Sequence, residues 1–170
     1  LDGRNVAYLG SGNDKVSGGA DTDTLRGGAG DDLLFGDGGN DRLFGGTGED
    51  TIYGGTGNDK LFGNAGDDEL HGGAGDDHLS GHDDDDVLTG GAGDDILHGG
   101  SGVDFIYGGA DDDQLSGGSG ADTLDGGAGN DIAYGGAGID YIDGGDGNDL
   151  LIGNTGDDVI NGGDGNDTLH

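Results

Sequence analysis

Large aliphatic residues recur at every ninth position along almost the whole chain. From Val16 to Leu169, seventeen of eighteen such positions hold Leu, Ile or Val, and the exception is Ala133. Glycine and polar residues fill most of the intervening sequence. One apolar residue with polar neighbours on both sides predicts a short β-strand whose middle side chain faces inward, because successive side chains of a strand point to opposite faces.

The residues around each aliphatic position follow one nine-residue pattern, Gly-Gly-x-Gly-x-Asp-x-aliphatic-x. Eighteen consecutive units fill residues 9–170 without an insertion, with Gly at seventeen first positions, fourteen second positions and fifteen fourth positions. Residues 1–8 form a degenerate leader repeat, in which Asn5 takes the Asp position and Ala7 the aliphatic one. We therefore expect the leader to be followed by a single array of eighteen nonapeptide repeats.

The equal spacing of the units predicts a solenoid. Each unit is expected to divide into a six-residue polar turn and a three-residue strand, and such a strand is not stable alone. If strand, turn, strand and turn make one 18-residue coil, units n and n+2 stack as parallel strands and two sheets share a thin aliphatic core. Nine coils at about 4.8 Å then give a rod of roughly 43 Å. A globular β-sandwich is the alternative, but it requires loops of varied length.

The closely spaced glycines at the first, second and fourth positions allow the turn backbone to adopt positive φ and let backbone carbonyls point together into one concavity. Most residues that replace the second- and fourth-position glycines are Asn or Asp, which tolerate this region best among the other residues; these are Asp21, Asp37, Asn64, Asp84, Asp111 and Asn154. His82 is the exception and begins the turn that matches the pattern worst, residues 82–86. This turn is either an altered, weaker site or an eroded repeat that its neighbours support.

The charge of the chain opposes a compact state. The formal net charge is −32, with 48 glycines and 29% hydrophobic residues. Such a composition is typical of disordered chains, because self-repulsion and chain entropy exceed what a thin core can offset. We infer that the metal-free chain is largely unfolded and that a multivalent cation is part of the fold.

Asp occupies the sixth position in every unit. Calcium prefers six to eight oxygen ligands at about 2.3–2.6 Å from carboxylates and carbonyls. Successive turns on one edge lie one strand spacing apart, so an ion can lie between turn n and turn n+2, where Asp can bridge two ions and glycine carbonyls supply other ligands. The predicted calcium ligands are Asp14, Asp23, Asp32, Asp41, Asp50, Asp59, Asp68, Asp77, Asp86, Asp95, Asp104, Asp113, Asp122, Asp131, Asp140, Asp149, Asp158 and Asp167. Two edges of nine turns offer up to about sixteen Ca²⁺ sites.

Magnesium, zinc and purely structural turns account for these aspartates less well than calcium does. Magnesium demands tight octahedral geometry and keeps its water. Zinc prefers His or Cys, but the chain has no Cys and its five His do not cluster. Asx-type turns explain a few of the aspartates, but not eighteen at one phase.

The repeat unit resembles the nonapeptide of the RTX (repeats-in-toxin) proteins, the secreted calcium-binding β-roll family, across residues 9–170. The resemblance implies an all-β fold, a right-handed parallel β-roll with two parallel sheets and calcium-bound turns on both edges. In that family the Asp carboxylates and loop carbonyls are the ligands. The resemblance also implies a bacterial protein, exported unfolded by type I secretion and folded by extracellular calcium.

We therefore expect a secreted, extracellular or cell-surface structural module, acting as a rigid spacer or scaffold of a larger exoprotein, adhesin, surface layer or filament. The alternative is a C-terminal folding or secretion-assisting tail of an exoenzyme or toxin. The array ends flush with a repeat at His170 and without a type I secretion signal. We expect it to be part of a larger parent chain, whose open coil ends would otherwise associate end to end or side by side.

Aromatic residues at the ninth position are candidates for an outward-facing surface. Phe35 and Tyr53 are expected to stack on one sheet, and Phe44 and Phe62 on the other, as ladders that favour sheet pairing or as a docking surface. Further outward-facing candidates are Phe105, Tyr107, Tyr134 and Tyr141. The regular Thr and Asn ladders of an ice-binding surface are absent.

Neither a catalytic motif nor a nucleic-acid or membrane interface is expected. The histidines are scattered over different phases, and the glycine-rich turns lack the Lys of a phosphate-binding loop, so we expect no enzymatic activity. No apolar run reaches ten residues, which excludes membrane insertion by a helix. The basic residues are too few for nucleic acid or anionic lipid; they are Arg4, Lys15, Arg26, Arg42 and Lys60.

Overall fold

The computed structural model describes residues 3–170 and consists of β-strands joined by short turns. The strands are β1 Val6–Ser11, β2 Lys15–Gly19, β3 Thr24–Ala29, β4 Leu33–Gly38, β5 Arg42–Thr47, β6 Thr51–Thr56, β7 Lys60–Ala65, β8 Glu69–Ala74, β9 His78–Asp83, β10 Val87–Ala92, β11 Ile96–Ser101, β12 Phe105–Ala110, β13 Gln114–Ser119, β14 Thr123–Ala128, β15 Ile132–Ala137, β16 Tyr141–Asp146, β17 Leu150–Thr155, β18 Val159–Asn161 and β19 Thr168–Leu169. No helix in this range is long and apolar enough to cross a membrane.

The strands form two parallel sheets. The first sheet has ten strands in the order β1-β3-β5-β7-β9-β11-β13-β15-β17-β19, and the second has nine, from β2 to β18 through the even-numbered strands. Every pairing joins residues 18 positions apart, as Leu25 with Leu43. The predicted all-β solenoid of 18-residue coils is confirmed. The leader repeat joins the stack, because Ala7 of β1 pairs with Leu25 of β3.

The strands are longer than the sequence predicted. Most contain six residues, positions seven to nine of one unit and the first three of the next, so only positions four to six remain as a turn. The added residues pair in the same register, Gly28 with Gly46 and Ala29 with Thr47. Glycine is a poor strand former, yet here it lets neighbouring backbones pair closely around the turn. The predicted division into six turn and three strand residues was therefore wrong.

The aliphatic residues of the two sheets form one continuous core. From Leu25 to Leu151, all fifteen eighth-position residues are at most 1% exposed. Val16 and Ile160, near the two ends of the rod, pack against this cluster while remaining partly exposed. Ala133 is as buried as its neighbours and lies between Leu115 and Leu151 in the first sheet.

The turn conformations agree with most of the expectations from sequence. Positive φ occurs at Asp37, Asn64, Asp84, Asp111 and Asn154, and also at His82 with φ of 88°. Asp21 does not share this conformation, and nothing in the structure explains the difference.

The predicted aromatic ladders are present on the outer faces. Phe35 and Tyr53 stack with ring centroids 5.1 Å apart on the second sheet, and Phe44 and Phe62 with centroids 4.9 Å apart on the first. Phe105, Tyr107, Tyr134 and Tyr141 are exposed, as predicted. Stacked aromatic pairs on neighbouring strands stabilise the sheet.

Candidate metal sites

The sixth-position aspartates point into the solenoid. Residues two apart in an extended chain share a face, so the sixth position faces the same way as the buried eighth position. The fifteen aspartates from Asp23 to Asp149 are at most 3% exposed, while Asp14, Asp158 and Asp167 near the ends are half-buried. All eighteen predicted ligands thus lie beneath the turns along the two edges of the rod.

Every carboxylate from Asp23 to Asp167 accepts one backbone hydrogen bond from a neighbouring coil. The N–H of Asp77 donates to Asp95 Oδ1 at 2.7 Å, and the N–H of Asp95 donates to Asp113 Oδ1 at 2.8 Å. The same bond recurs on both edges, from the N–H of Asp14 to Asp32 and from that of Asp149 to Asp167. Oδ1 is therefore engaged within the protein from Asp23 to Asp167.

The other carboxylate oxygen has no hydrogen-bond partner. Oδ2 is buried and unpaired in every sixth-position aspartate from Asp14 to Asp149. A buried oxygen of this kind carries its full desolvation cost unless a donor or a cation meets it. This feature repeats along the two rows of sixth-position aspartates, called the aspartate ladder below, so it is a regular property of the repeat that suits a row of cation sites.

First-position glycines open a space beside each unpaired oxygen. A Cβ added to Gly54 would lie 2.6 Å from Asp59 Oδ2 and 2.6 Å from the carbonyl oxygen of Gly72 in the next coil. At Gly108 the corresponding distances to Asp113 Oδ2 and the Gly126 carbonyl are both 2.5 Å. A carboxylate oxygen and a carbonyl oxygen therefore converge where a side chain would otherwise stand. This accounts for glycine at seventeen of eighteen first positions.

Carbonyls of the turn glycines approach the same gap from the opposite side. A Cβ added to Gly93 would lie 2.5 Å from the carbonyl oxygen of Gly75, so this fourth-position carbonyl points toward the next coil. Between the same two coils, the first-position carbonyl of Gly90 points back toward Gly72, whose added Cβ would lie 2.7 Å from it. Successive turns on one edge thus face each other across a gap lined with oxygen atoms.

The carboxylates of the ladder are electrostatically strained without a cation. Burial raises the pKa of Asp50, Asp59, Asp95, Asp104 and Asp131 to about 6, that of Asp68, Asp77 and Asp113 to about 7, and that of Asp86 to about 8. The backbone hydrogen bond to Oδ1 opposes this rise in pKa, and neighbouring carboxylates add to it. Ionised aspartates at neutral pH therefore oppose the folded state, and a divalent cation beside Oδ2 would offset that penalty.

The turn at residues 82–86 keeps the geometry of its neighbours despite its sequence. Asp86 is fully buried, and its Oδ1 accepts from the N–H of Asp68 at 2.9 Å. His82 and Asp84 adopt the positive φ that glycine has elsewhere. The structure therefore favours an eroded repeat supported by its neighbours over a rebuilt site.

The available donors fit calcium. In residues 3–170 no group of three or more His, Cys, Asp or Glu side chains gathers at one point. The donors that converge are carboxylate and backbone carbonyl oxygens, the hard ligands that calcium takes in flexible geometry. The sequence did not reveal the role of the first-position glycines, nor that Oδ1 accepts a hydrogen bond while Oδ2 has no partner. The first-position glycines do not adopt the positive φ that was expected of the turn glycines. The available clue to their role was their presence in seventeen of eighteen units.

Comparison with known proteins agrees with this geometry. A protein-family model described as RTX calcium-binding nonapeptide repeat (4 copies) matches ten overlapping segments, which are residues 1–34, 17–52, 35–70, 44–79, 62–97, 71–106, 80–115, 98–133, 107–142 and 134–169. Together these segments span nearly the whole chain. A search of curated proteins found no match.

Proposed function

The chain belongs to the RTX calcium-binding nonapeptide repeat family, and from this premise we propose that it is a secreted structural module that folds when it binds calcium outside the cell. RTX repeats are typical of secreted bacterial proteins. The observation that carries the proposal is the ladder of buried, unpaired Asp Oδ2 atoms, from Asp14 to Asp149.

Different parts of each turn have different roles in the proposed calcium binding. The Oδ1 hydrogen bonds hold the carboxylates in place, and the first-position glycines leave room beside Oδ2. Glycine carbonyls from two successive turns line the gap. Bound calcium supplies the positive charge that the carboxylates lack, since the chain carries 37 acidic and only 5 basic residues.

Calcium concentration is the proposed trigger. At submicromolar calcium the buried carboxylates oppose folding, so the chain stays extended and suited to export through a narrow channel. Extracellular calcium sites typically have Kd of about 10⁻⁴–10⁻³ M, so millimolar calcium outside the cell is sufficient to fold the array. Each coil contacts only its neighbours, which favours cooperative folding along the rod.

The role of the folded array is proposed to be mechanical and not catalytic. Strands pair in one register from β1 to β19 without an interruption, and such an uninterrupted stack suits a rigid spacer or scaffold better than the alternative of an enzyme's folding tail. The remainder of a larger exoprotein, adhesin, surface layer or filament would be attached to it.

Far-UV circular dichroism during a calcium titration from zero to about 10 mM tests this proposal, because typical extracellular sites fill within that range. We expect a cooperative transition from coil to β-structure with calcium and none with magnesium at equal concentration. A chain that is already β-rich in excess chelator, or that magnesium folds equally well, would contradict the proposed switch.

A further inference from the structure

The outer face of the first sheet differs in charge from the rest of the molecule. Its outward side chains come from positions seven and nine of the odd-numbered strands, and among these strands none of the described residues at those positions is acidic. Three cations lie there instead, Arg26, Arg42 and Lys60. The second sheet carries Glu69, Asp125 and Asp143 at equivalent positions, so the absence of acid is specific to one face of a chain with 37 acidic residues.

Two of these cations lie side by side with no protein partner. Arg42 of β5 and Lys60 of β7 are partners in the parallel register, and both are exposed. Within residues 3–170 neither makes an ion pair, because the described salt bridge joins His71 and Glu69. Like charges in register on neighbouring strands repel each other. The pair therefore has an electrostatic cost that a bound anion would remove.

By contrast, the other cations of the described strands have partners in aromatic rings. Arg26 lies over the ring of Phe44, 3.9 Å from its centroid, and Lys15 lies 5.1 Å from the centroid of Phe35. These contacts engage the positive charge within the protein. Arg42 and Lys60 make no such contact in the described structure and thus remain available to a ligand.

Arg42 and Lys60 line an open cleft of about 320 Å³ at the edge of the first sheet. The other lining residues are Thr22, Asn40, Asn58 and Asp41. Thr22, Asn40 and Asn58 occupy the fifth position, where the following units of the same edge carry Asp76, Asp94 and Asp112. The fifth position of this edge is neutral again at Asn130, Asn148 and Asn166, but no cation follows them at the seventh position. On this edge, neutral fifth-position side chains therefore coincide with cations only at the cleft.

The acids near the cleft do not neutralise the cations. Asp41 is 1% exposed, and its Oδ1 accepts from the N–H of Asp23. Asp76 Oδ2 accepts from Asn58 Nδ2 at 3.1 Å. A guanidinium edge, an ammonium, an amide and a hydroxyl therefore face the same volume.

We propose that this cleft binds an oxyanion, with Arg42 and Lys60 supplying the charge and Asn40 and Thr22 supplying further hydrogen-bond donors. The planar guanidinium of Arg42 suits two oxygens of a carboxylate, sulfate or phosphate group, and Lys60 adds a point charge. The ligand class is an anionic group such as a sulfate ester or a carboxylate of an extracellular molecule. The cleft adjoins the aspartate ladder at Asp41, but the proposed anion contacts come from Arg42, Lys60, Asn40 and Thr22 and use none of the unpaired aspartate oxygens.

The test is a titration of the calcium-saturated chain with methyl sulfate, and separately with acetate, at constant ionic strength. Two-dimensional ¹H–¹⁵N NMR would follow the Arg42 Nε–H and the Asn40 side-chain amide. We expect saturable shifts of both groups in the unmodified chain. Arg42→Gln combined with Lys60→Gln should weaken binding at least about tenfold, since two charge-assisted contacts are lost. Lys15→Gln, which removes a cation from the other sheet, should leave the affinity unchanged.

The two probes distinguish the natural source of the anion. Tighter binding of methyl sulfate indicates a sulfated ligand, and tighter binding of acetate indicates a carboxylate. Absence of saturable shifts with both probes would overturn the proposal, as would equal affinity in the unmodified chain and the double variant. Circular dichroism of each variant in calcium provides the folding control, and because both side chains are exposed and unpaired we expect an unchanged calcium midpoint.

Discussion

Asp95→Asn is predicted to change stability in opposite directions with and without calcium. Asp95 is fully buried, its Oδ1 accepts from the N–H of Asp77, and its Oδ2 has no partner. Asn keeps an oxygen for the Asp77 N–H and replaces Oδ2 with an uncharged amide nitrogen. That nitrogen can donate to the carbonyl oxygen of Gly108, which converges with Oδ2 beside Gly90. The variant therefore loses a predicted calcium ligand and also a buried charge.

The magnitude for the metal-free chain follows from the pKa of Asp95. Burial raises this pKa from 3.8 to about 6, and one unit of pKa difference corresponds to about 1.4 kcal/mol. Because the folded pKa exceeds the unfolded one, the favourable contribution of Asp95 is complete below about pH 4 and is lost as pH rises through 6. At pH 7.5 the ionised side chain costs the folded state about 3 kcal/mol, which Asn removes.

The measurement is a trimethylamine N-oxide titration in excess chelator at pH 7.5, since this osmolyte favours burial and folds marginal chains. Asp95→Asn should fold at lower osmolyte concentration than the unmodified chain, but should need more calcium in the absence of osmolyte. Asp94→Asn is the matched control, because Asp94 is an exposed neighbour whose Oδ1 accepts from the N–H of Asp112. The reasoning is refuted if Asp95→Asn destabilises the chain in chelator, or if Asp94→Asn reproduces both effects.

Three further predictions concern the ladder, the turn and the core. In chelator, lowering the pH from 8 to 4 should increase the β-structure measured by circular dichroism. The reason is that the raised aspartate pKa values, up to about 8 at Asp86, make the chain take up protons when it folds. A chain that loses β-structure over this range contradicts the prediction. Gly108→Ala should lower the thermal midpoint of unfolding in calcium, since its Cβ would lie 2.5 Å from Asp113 Oδ2. Gly38→Ala should have little effect, because its Cβ would approach no atom closer than 3.3 Å. Similar losses in the two variants would count against the steric explanation. Leu97→Ala should destabilise the calcium-bound chain by about 3 kcal/mol in chemical denaturation through loss of a fully buried side chain, and a loss below about 1 kcal/mol would show that the thin core contributes little.

The fold could be predicted from sequence because every level of the pattern agrees. The aliphatic period of nine fixed the inward face, and all fifteen residues from Leu25 to Leu151 are buried as expected. The single Asp phase placed the predicted ligands at the two edges. The leader could also be aligned, since Ala7 pairs with Leu25 where the sequence frame put it.

Strand length and the detail of the site could not be predicted in the same way. Glycine propensity argues against strands, yet Gly28 and Gly46 pair in the ladder because the coil imposes their register. The roles of the two carboxylate oxygens depend on the offset between coils, which places Oδ1 at a neighbouring N–H and Oδ2 beside a first-position glycine. The absence of acidic residues at positions seven and nine of the first sheet cannot be seen in the net charge of the whole chain. It becomes visible only when the charged residues are assigned to their two sheets.

The central claim is that calcium lies between successive turns against the unpaired aspartate oxygens. X-ray diffraction from crystals of the calcium-saturated chain, at a wavelength where calcium scatters anomalously, tests it most directly. The account predicts a row of anomalous peaks along both edges, each about 2.3–2.6 Å from an Asp Oδ2 and from glycine carbonyls of two successive turns. Gaps without peaks in a folded chain, or peaks confined to exposed fifth-position aspartates such as Asp94, would contradict it.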